Sequence, residues 1–323
     1  MSSGSSMSSS TTDWRQAFTR EEIAELRTHS DWQGWRMLIT DYGMIAAIMT
    51  LVAFYPNAFT VVFALVVIGG RQLGLAIVMH EAAHRTLFNN RKLNDWVGNW
   101  LAAYPIYLCA NMYRLHHLDH HGKTWGDTDP DRILAEGFPV SKMSMTRKVL
   151  RDLLGMTGLK QLIGTSYVAY KVIRREPVNQ GTLPLRLDRE RMIKMVVGTL
   201  VTNGILFGFL WGLGHPMLYL LWFGAWMTTS KLVVRLRSMA EHALVATPDP
   251  GDPFGNTRTT LTRWWERLFV APHNVGFHLE HHLVITIPQY KLGRFHRMLE
   301  ERGMLDGACI EKGYARVFRN MVA

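Results

Sequence analysis

Four apolar runs arranged as two hairpins, with no basic residue over 38–70 or 196–230, and three short stretches crowded with histidine, predict an all-α integral membrane protein. The expected architecture is four transmembrane helices in two hairpins, a short re-entrant or interfacial segment, and a helical cytosolic cap where the histidines meet. The 323 residues divide into a tail over 1–12, expected to be disordered, and a single domain over 13–323. The spans are expected at about 38–55, 58–79, 195–212 and 217–234, and the cap takes 80–194 and 238–323.

The elements follow in order. After the Ser/Thr/Gly tail, Thr19 with Glu22 and Ser30 with Gln33 have capping-box spacing, so helices are expected to start at both places. Trp32 and Trp35 stand where an interfacial aromatic belt would lie. Leu38 to Tyr55 is apolar apart from Asp41 near its start, Pro56-Asn57 makes the turn, and Ala58 to Met79 returns. At 1.5 Å per residue each run is long enough to span a bilayer. Arg71 interrupts the second run and is expected to face the bundle interior and pair there.

Trp96 to Ala110 is apolar but short, with Gly98 and Pro105 inside it, and is expected to be re-entrant or interfacial. A full crossing would put His80 and His84 on the opposite side of the membrane from His117–His121. Residues 122–194 mix Lys142, Arg147, Lys148 and Arg151 with Met, Leu, Ile and Tyr, as helices lying in the headgroup plane do. A second hairpin runs Met195–Gly212, turns at Gly214-His215-Pro216, and returns as Met217–Ser230. Continued as one helix through Lys231, Arg235 and Arg237, its second arm carries His242 beyond the lipid.

Charge sets the orientation. Neither Leu38–Gly70 nor Val196–Ser230 contains Lys or Arg, and all 36 basic residues lie elsewhere. Both turns therefore face away from the cytosol, and both termini and every histidine stretch face it. The net charge of +10 points to an anionic lipid surface or an acidic redox partner. No recognition-helix or base-stacking pattern accompanies the basic residues, so nucleic acid is excluded as a partner. Cys109 and Cys309, with no CxxC, support neither a disulfide framework nor a cysteine-ligated metal, consistent with a reducing compartment.

The histidines carry the chemistry. His80 and His84 stand at i and i+4; His117, His120, His121 and again His278, His281, His282 stand at i, i+3 and i+4, so each set shares a helix face. These eight rings are twice what one tetrahedral zinc uses, which suits two metal ions. Imidazole binds iron, zinc, copper and nickel, so donor type leaves the metal open. All-neutral donors keep a metal pair electrophilic, which fits oxygen activation against an unreactive C–H bond. His80-Glu81-Ala82-Ala83-His84 also satisfies the HExxH zinc-hydrolase pattern with Glu81 as base, although the two triplets would then have no purpose.

Around these rings, Glu81, Asp119, Glu241 and Glu280 are candidates to orient imidazole N–H groups. His116 points about 100° from His117 on a helix, which suits an outer-sphere or substrate-lining place rather than ligation. His29, His215 and His296 are expected to be surface or packing residues. Tyr104, Tyr107, Tyr113, Trp222 and Trp226 are core packing or the lining of a site for a lipid chain.

With HEAAH, HHLDHH and HLEHH in this order, the sequence resembles the integral-membrane fatty-acid desaturase/hydroxylase superfamily, whose three histidine boxes have these spacings. Asp127–Asp131 (DTDPD) after the second box, Arg237–His242 (RSMAEH) after the last span and Pro288 after the third box extend the likeness over about residues 60–300. The resemblance implies two iron ions held by His80, His84, His117, His120, His121, His278, His281 and His282, with His242 as a ninth ligand and O2 as co-substrate. Acyl-CoA desaturases of this group place an asparagine, acting through water, where this chain has Ser238; Asn274, four residues before His278, is the candidate substitute. Three residues between the box-one histidines look more like bacterial acyl-lipid desaturases, which implies a multi-pass protein of a bacterial inner membrane.

The implied reaction is desaturation of a long-chain fatty acyl or related lipid. Hydroxylation or ketolation of a lipid, alkane or carotenoid is the alternative on the same scaffold, and an intramembrane zinc protease is the distant one. The sequence carries no haem-binding, ferredoxin-like or flavin signature, so a ferredoxin or cytochrome b5-like donor is expected to dock on its basic cytosolic face.

Overall fold

The computed structural model describes residues 14–178, 188–246, 248–249 and 251–323; the tail over 1–12 lies outside them. Helix α1 (Arg20–Leu26) starts at a complete capping box: Glu22 N–H donates to Thr19 Oγ1 at 3.1 Å, and Thr19 N–H donates to Glu22 Oε2 at 2.9 Å. Helix α2 (Asp31–Phe54) departs from the expected pattern, because the Ser30 side chain makes no cap hydrogen bond. Asp31 fixes that end instead, accepting the backbone and side-chain N–H groups of Asn89 at 2.8 Å each. The tight turn into α3 (Ala58–His84) is held by a reciprocal Asn57–Thr60 cap.

Beyond α3 the chain forms α4 (Arg91–Val97), then a π-helical stretch Gly98–Ala103 and a 3-10 turn Tyr104–Ile106, too short and broken to be a span. The second histidine box lies on α5 (Ala110–Lys123). After α6 (Arg132–Ala135) come α7 (Lys142–Leu153) and α8 (Met156–Ile173), which expose Leu150, Leu154, Leu159, Ile163 and Tyr167. The second hairpin consists of α9 (Arg189–Gly212), α10 (Leu218–Met227) and α11 (Thr229–His242).

Among the described residues three helices are long and apolar enough to cross a membrane: α2, within the helical segment Arg20–Phe54, α3 and α9. Exposed Phe54, Phe59, Val62, Leu200, Ile205 and Phe209 belt these helices, as in a membrane protein. The continuous fourth span expected over 217–234 and on to His242 does not form. The helix breaks at Thr228, whose φ of −121° and ψ of −90° are not helical. Two hydroxyls flank the break: Thr228 Oγ1 donates at 2.6 Å to Gly224 O, which also accepts the Thr228 backbone N–H at 3.0 Å, and Thr229 Oγ1 donates across to Leu65 O of α3.

The last fifth of the chain is compact and mixed: α12 (Pro253–Asn256), strand β1 (Arg258–Leu261), α13 (Trp264–Phe269), α14 (His278–Leu283), α15 (Gln289–Glu301), strand β2 (Cys309–Lys312) and α16 (Tyr314–Asn320). The strands pair in parallel, from Arg258 opposite Cys309 to Leu261 opposite Lys312.

Helix α3 is the axis of the core. Its buried face touches α2, α5, α10, α11 and α13, and small residues allow the close approaches. A β-carbon at Gly69 would stand 2.3 Å from Thr229 Oγ1, and one at Gly74 would stand 2.3 Å from Asp41 Oδ1. Asp41 is fully buried beside Gly74 and accepts from Arg71 Nη1 at 3.2 Å and from His273 Nε2 at 2.8 Å. Arg71 also donates to the carbonyls of Arg267 and Leu268, so the buried cation faces the bundle interior and ties α3 to α13.

At the other end, Trp14, Phe18 and Leu26 pack on Leu292, Phe295 and Leu299 of α15. Glu22 binds Arg302 (Nη2–Oε1 2.6 Å) and Glu25 binds Arg294 (2.6 and 3.1 Å), so the N-terminal segment is strapped over α15.

Candidate metal centre

Nine imidazoles converge where α3, α5, α11 and α14 meet. They form two adjoining groups: His80, His84, His117, His121 and His281 in one, and His120, His242, His278 and His282 in the other. Within each group the ligand atoms lie within 4.8 Å of one another, and all are histidine nitrogens. The helical period explains the division. In each triplet the i, i+4 pair stays together, and the i+3 ring, rotated to one side, joins the other group. Thus His117 and His121 stand with His281, while His278 and His282 stand with His120.

Each ring is brought in by a local device. His80 and His84 occupy the last turns of α3, which ends at Arg85 in the left-handed conformation (φ 62°). The third box follows a sharp corner at His273 and Asn274 (φ 53° and 61°), which turns the chain into α14. His242 arrives at the end of α11, whose independence from α10 frees its direction.

The nitrogen geometry fits bound cations. Nε2 of His242 lies 3.2 Å from Nε2 of His120 and 2.8 Å from that of His278; Nε2 of His121 lies 3.0 Å from those of His117 and His281. Donors bonded to a metal at about 2.1 Å stand about 3.0 Å apart on an octahedron and about 3.4 Å apart on a tetrahedron. Both nitrogens of His80 and of His84, and Nε2 of His282, are buried without a hydrogen-bond partner. Lone pairs facing one another in a dry interior are costly unless a cation takes them.

Burial holds the imidazoles neutral, the state that binds metal. It depresses His117, His121, His278, His281 and His282 far below the ordinary histidine value, and His242 to about 3, with neighbouring histidines adding to the effect.

The outer contacts of the two groups differ. In the group of four every Nδ1 meets an oxygen: His120 meets Asp129 Oδ1 at 2.8 Å, His242 the Asn256 carbonyl at 3.2 Å, His278 Glu241 Oε1 at 3.4 Å, and His282 Thr124 Oγ1 at 3.4 Å. In the group of five the Nδ1 atoms of His80, His84, His117, His121 and His281 have no hydrogen-bond partner. Glu81 Oε1 comes within 3.4 Å of His80 Nδ1 without hydrogen-bond alignment. The carboxylate of Glu81 instead accepts Gln289 N–H and Thr86 Oγ1–H, both at 2.9 Å.

The remaining candidates lie outside both groups. Asn274, suggested to act through water, donates its Nδ2 to the Gln289 carbonyl at 3.4 Å. Ser238 lines a small cavity at the centre, but its Oγ donates to Val234 O of its own helix at 3.0 Å. His116 Nε2 binds Asp131 at 2.8 Å, beside that cavity. Asp119 pairs with Lys123 at the surface, and Glu280 binds Thr259 and His296, so neither orients a ligand ring. Asp129, Thr124 and the Asn256 carbonyl escaped the sequence reading; only Asp129, in the DTDPD stretch, carried a signal.

The small cavity, of about 40 Å³, is lined by Tyr113, His117, His120, Arg237, Glu241 and His242 among others. Tyr113 stacks on His117 with ring centroids 5.0 Å apart. Burial raises Glu241 to about 7 despite its pair with Arg237 at 2.5 Å. A separate cavity of about 180 Å³ lies between α8 and α9, bounded by Tyr107, Thr165, Ser166, Met195, Thr199 and Trp226.

Known proteins match this picture. The chain is 27% identical over 312 residues to a dihydrorhizobitoxine desaturase of Bradyrhizobium elkanii, covering 93% of this chain and 82% of that one. It is 26% identical to a sn-1 acyl-lipid omega-3 desaturase (ferredoxin) of Synechocystis, covering 79% and 71%. A protein of that same description from Nostoc is 25% identical over 68% of this chain and 61% of its own length. The profile of the fatty acid desaturase family matches residues 56–308, a stretch that contains all nine clustered histidines, and the chain is thereby an oxidoreductase belonging to the fatty acid desaturase family.

Proposed function

We propose that the protein is a four-span, multi-pass membrane enzyme that desaturates a long-chain fatty acyl lipid with O2, using two iron ions. The observation that carries this reading is the pair of adjoining all-imidazole groups of five and four rings. In the proposed assignment His80, His84, His117, His121 and His281 hold one iron, and His120, His242, His278 and His282 hold the other. The irons, when bound, supply the activation of O2 that removes two hydrogens from neighbouring methylenes.

The protein's own part is positioning. Asp129, Glu241, Thr124 and the Asn256 carbonyl hold one set of rings by their outer nitrogens. Tyr113 and Arg237 border a space near His117 and His120 of about 40 Å³, above the roughly 10–15 Å³ that one water needs, so it admits a small molecule. The α8–α9 cavity, whose lining is mostly apolar, is the proposed place for part of the acyl chain. In this arrangement α10 and the start of α11 complete the fourth crossing as a broken helix, whose break is tied to α3 through Thr229 Oγ1 and Leu65 O. In this reading the centre and both termini face the cytosol at a bacterial inner membrane, which the absence of Lys and Arg from both hairpins supports.

The overall reaction converts –CH2–CH2–, O2, two electrons and two protons into –CH=CH– and two waters. The relatives named with ferredoxin support an external one-electron donor of that kind. A hydrolase built on HEAAH is disfavoured because Glu81, its required base, is buried and bound to Gln289 and Thr86. Lipid analysis of a heterologous host expressing the protein or His120→Ala tests the reading. A new double bond absent from the variant, with about two irons per chain in purified protein, is expected. A new hydroxyl or carbonyl would move the assignment to the hydroxylase/ketolase alternative, and one zinc without oxidised lipid would overturn both.

A further inference from the structure

Resting on that reading of an externally reduced centre, we propose that Arg27, His29 and Arg85 form the docking surface for an acidic one-electron carrier, with His84 as the point of electron entry. A cavity of about 370 Å³ opens between α1 and the end of α3, and His84 is among its walls with Arg27, His29, Arg85, Thr86 and Thr286. His84 and His121 of the group of five rings remain partly exposed, whereas His80, His117 and His281 are buried, and of the two only His84 lines this opening. A carrier seated in this opening touches a member of the metal-binding set directly, with no protein between.

Charge gives the occupant. Arg27 caps the end of α1 and Arg85 the end of α3; both are exposed, and among the described residues neither forms an ion pair with a carboxylate. Nearby Arg294 and Arg302 differ, being held by Glu25 and Glu22. Two uncommitted guanidinium groups beside the opening raise the local concentration of an acidic partner and orient it. A lipid is the poorer fit, because Arg, His and Thr residues bound this cavity with Ala24 as its one wholly apolar residue, whereas the space between α8 and α9 is mostly apolar. Two encounters, each oxidising one reduced carrier by one electron, supply the two electrons of the balanced reaction.

The test uses a plant-type [2Fe–2S] ferredoxin as probe, with full-length protein in detergent or nanodiscs. Arg27→Glu/Arg85→Glu is expected to weaken ferredoxin binding at least tenfold at low salt, and to raise the KM for ferredoxin by a similar factor. Metal content, and turnover driven by a small chemical reductant, should be unchanged in Arg27→Glu alone, which lies at the end of α1 away from the rings and should show the same fall in ferredoxin binding in smaller measure. The difference should shrink as salt rises, since the Debye length falls from about 30 Å at 0.01 M to about 8 Å at 0.15 M. Arg319→Glu, a reversal at another exposed position, should bind as the native protein does. Equal binding and KM in native and doubly reversed protein would overturn the proposal, and so would a variant whose KM rises for lipid rather than for ferredoxin. Native protein that binds ferredoxin through this surface yet shows no donor-supported lipid oxidation would leave the surface standing and overturn the functional reading instead.

Discussion

Asp129 meets His120 at 2.8 Å, although the two lie on opposite sides of the turn that closes α5. The carboxylate also accepts the backbone N–H groups of Trp125 and Asp131, so its position is fixed by the turn itself. These bonds and the imidazole hold Asp129 below the usual carboxylate range against the opposing effect of burial. An ionised acceptor at Nδ1 keeps that proton outward and the Nε2 lone pair inward, which sets the tautomer a metal requires.

Asp129→Asn should therefore loosen metal held by the group of four. Loss of an outer-sphere partner costs about 10–100-fold in affinity. Chelator competition on purified protein checks this, and retention equal to the native protein would show that the contact is not a metal-orienting one.

The buried Asp41–Arg71–His273 cluster predicts a stability effect remote from the chemistry. Asp41→Ala leaves the Arg71 cation buried with only carbonyl partners and should cost about 3–5 kcal/mol. Replacing both charges, as in Asp41→Asn/Arg71→Gln, should recover part of that loss. Thermal unfolding in detergent measures it; an additive double variant would remove the pairing argument.

The strap over α15 predicts an acid response. Arg302 holds Glu22 at about 2, below its ordinary value of 4.5, so folding favours the ionised form. The contribution is complete above the unfolded value and is lost as pH falls from about 4.5 through about 2. Cleavage near Phe18 by an acid-active protease should rise across that window, and Glu22→Gln should be cleaved readily even above it. A native strap equally resistant at both ends of the window would contradict this.

The cavity between α8 and α9 predicts a change in chain-length preference. Thr165→Phe would fill its interior and should shorten the longest acyl chain accepted, with metal content unchanged. Product profiles from a mixed-lipid host provide the readout. An unaltered profile would place the chain elsewhere.

The parts of this molecule that follow from local spacing were legible in the sequence. The nine clustered histidines stand at helical intervals or end a helix, and the apolar hairpins announce themselves by length and by the absence of Lys and Arg. What stayed hidden depends on contacts between distant segments. The Thr228 break needs Leu65 as a partner for the next hydroxyl, and Asn274 turns toward Gln289 rather than the rings. Asn256 acts through its carbonyl, which no side-chain pattern reveals. Arg302 meets Glu22 from the far end of the chain, so no local window contains the clasp.

Helix α3 joins two of these features on one rod of 27 residues without a proline. Its lipid-level half is locked to α2 and α13 through Arg71, and its far end carries His80 and His84. With no hinge between, a bilayer whose thickness tilts the rod would swing those two rings against His117 and His281, so membrane composition can reach the oxidative chemistry by leverage alone.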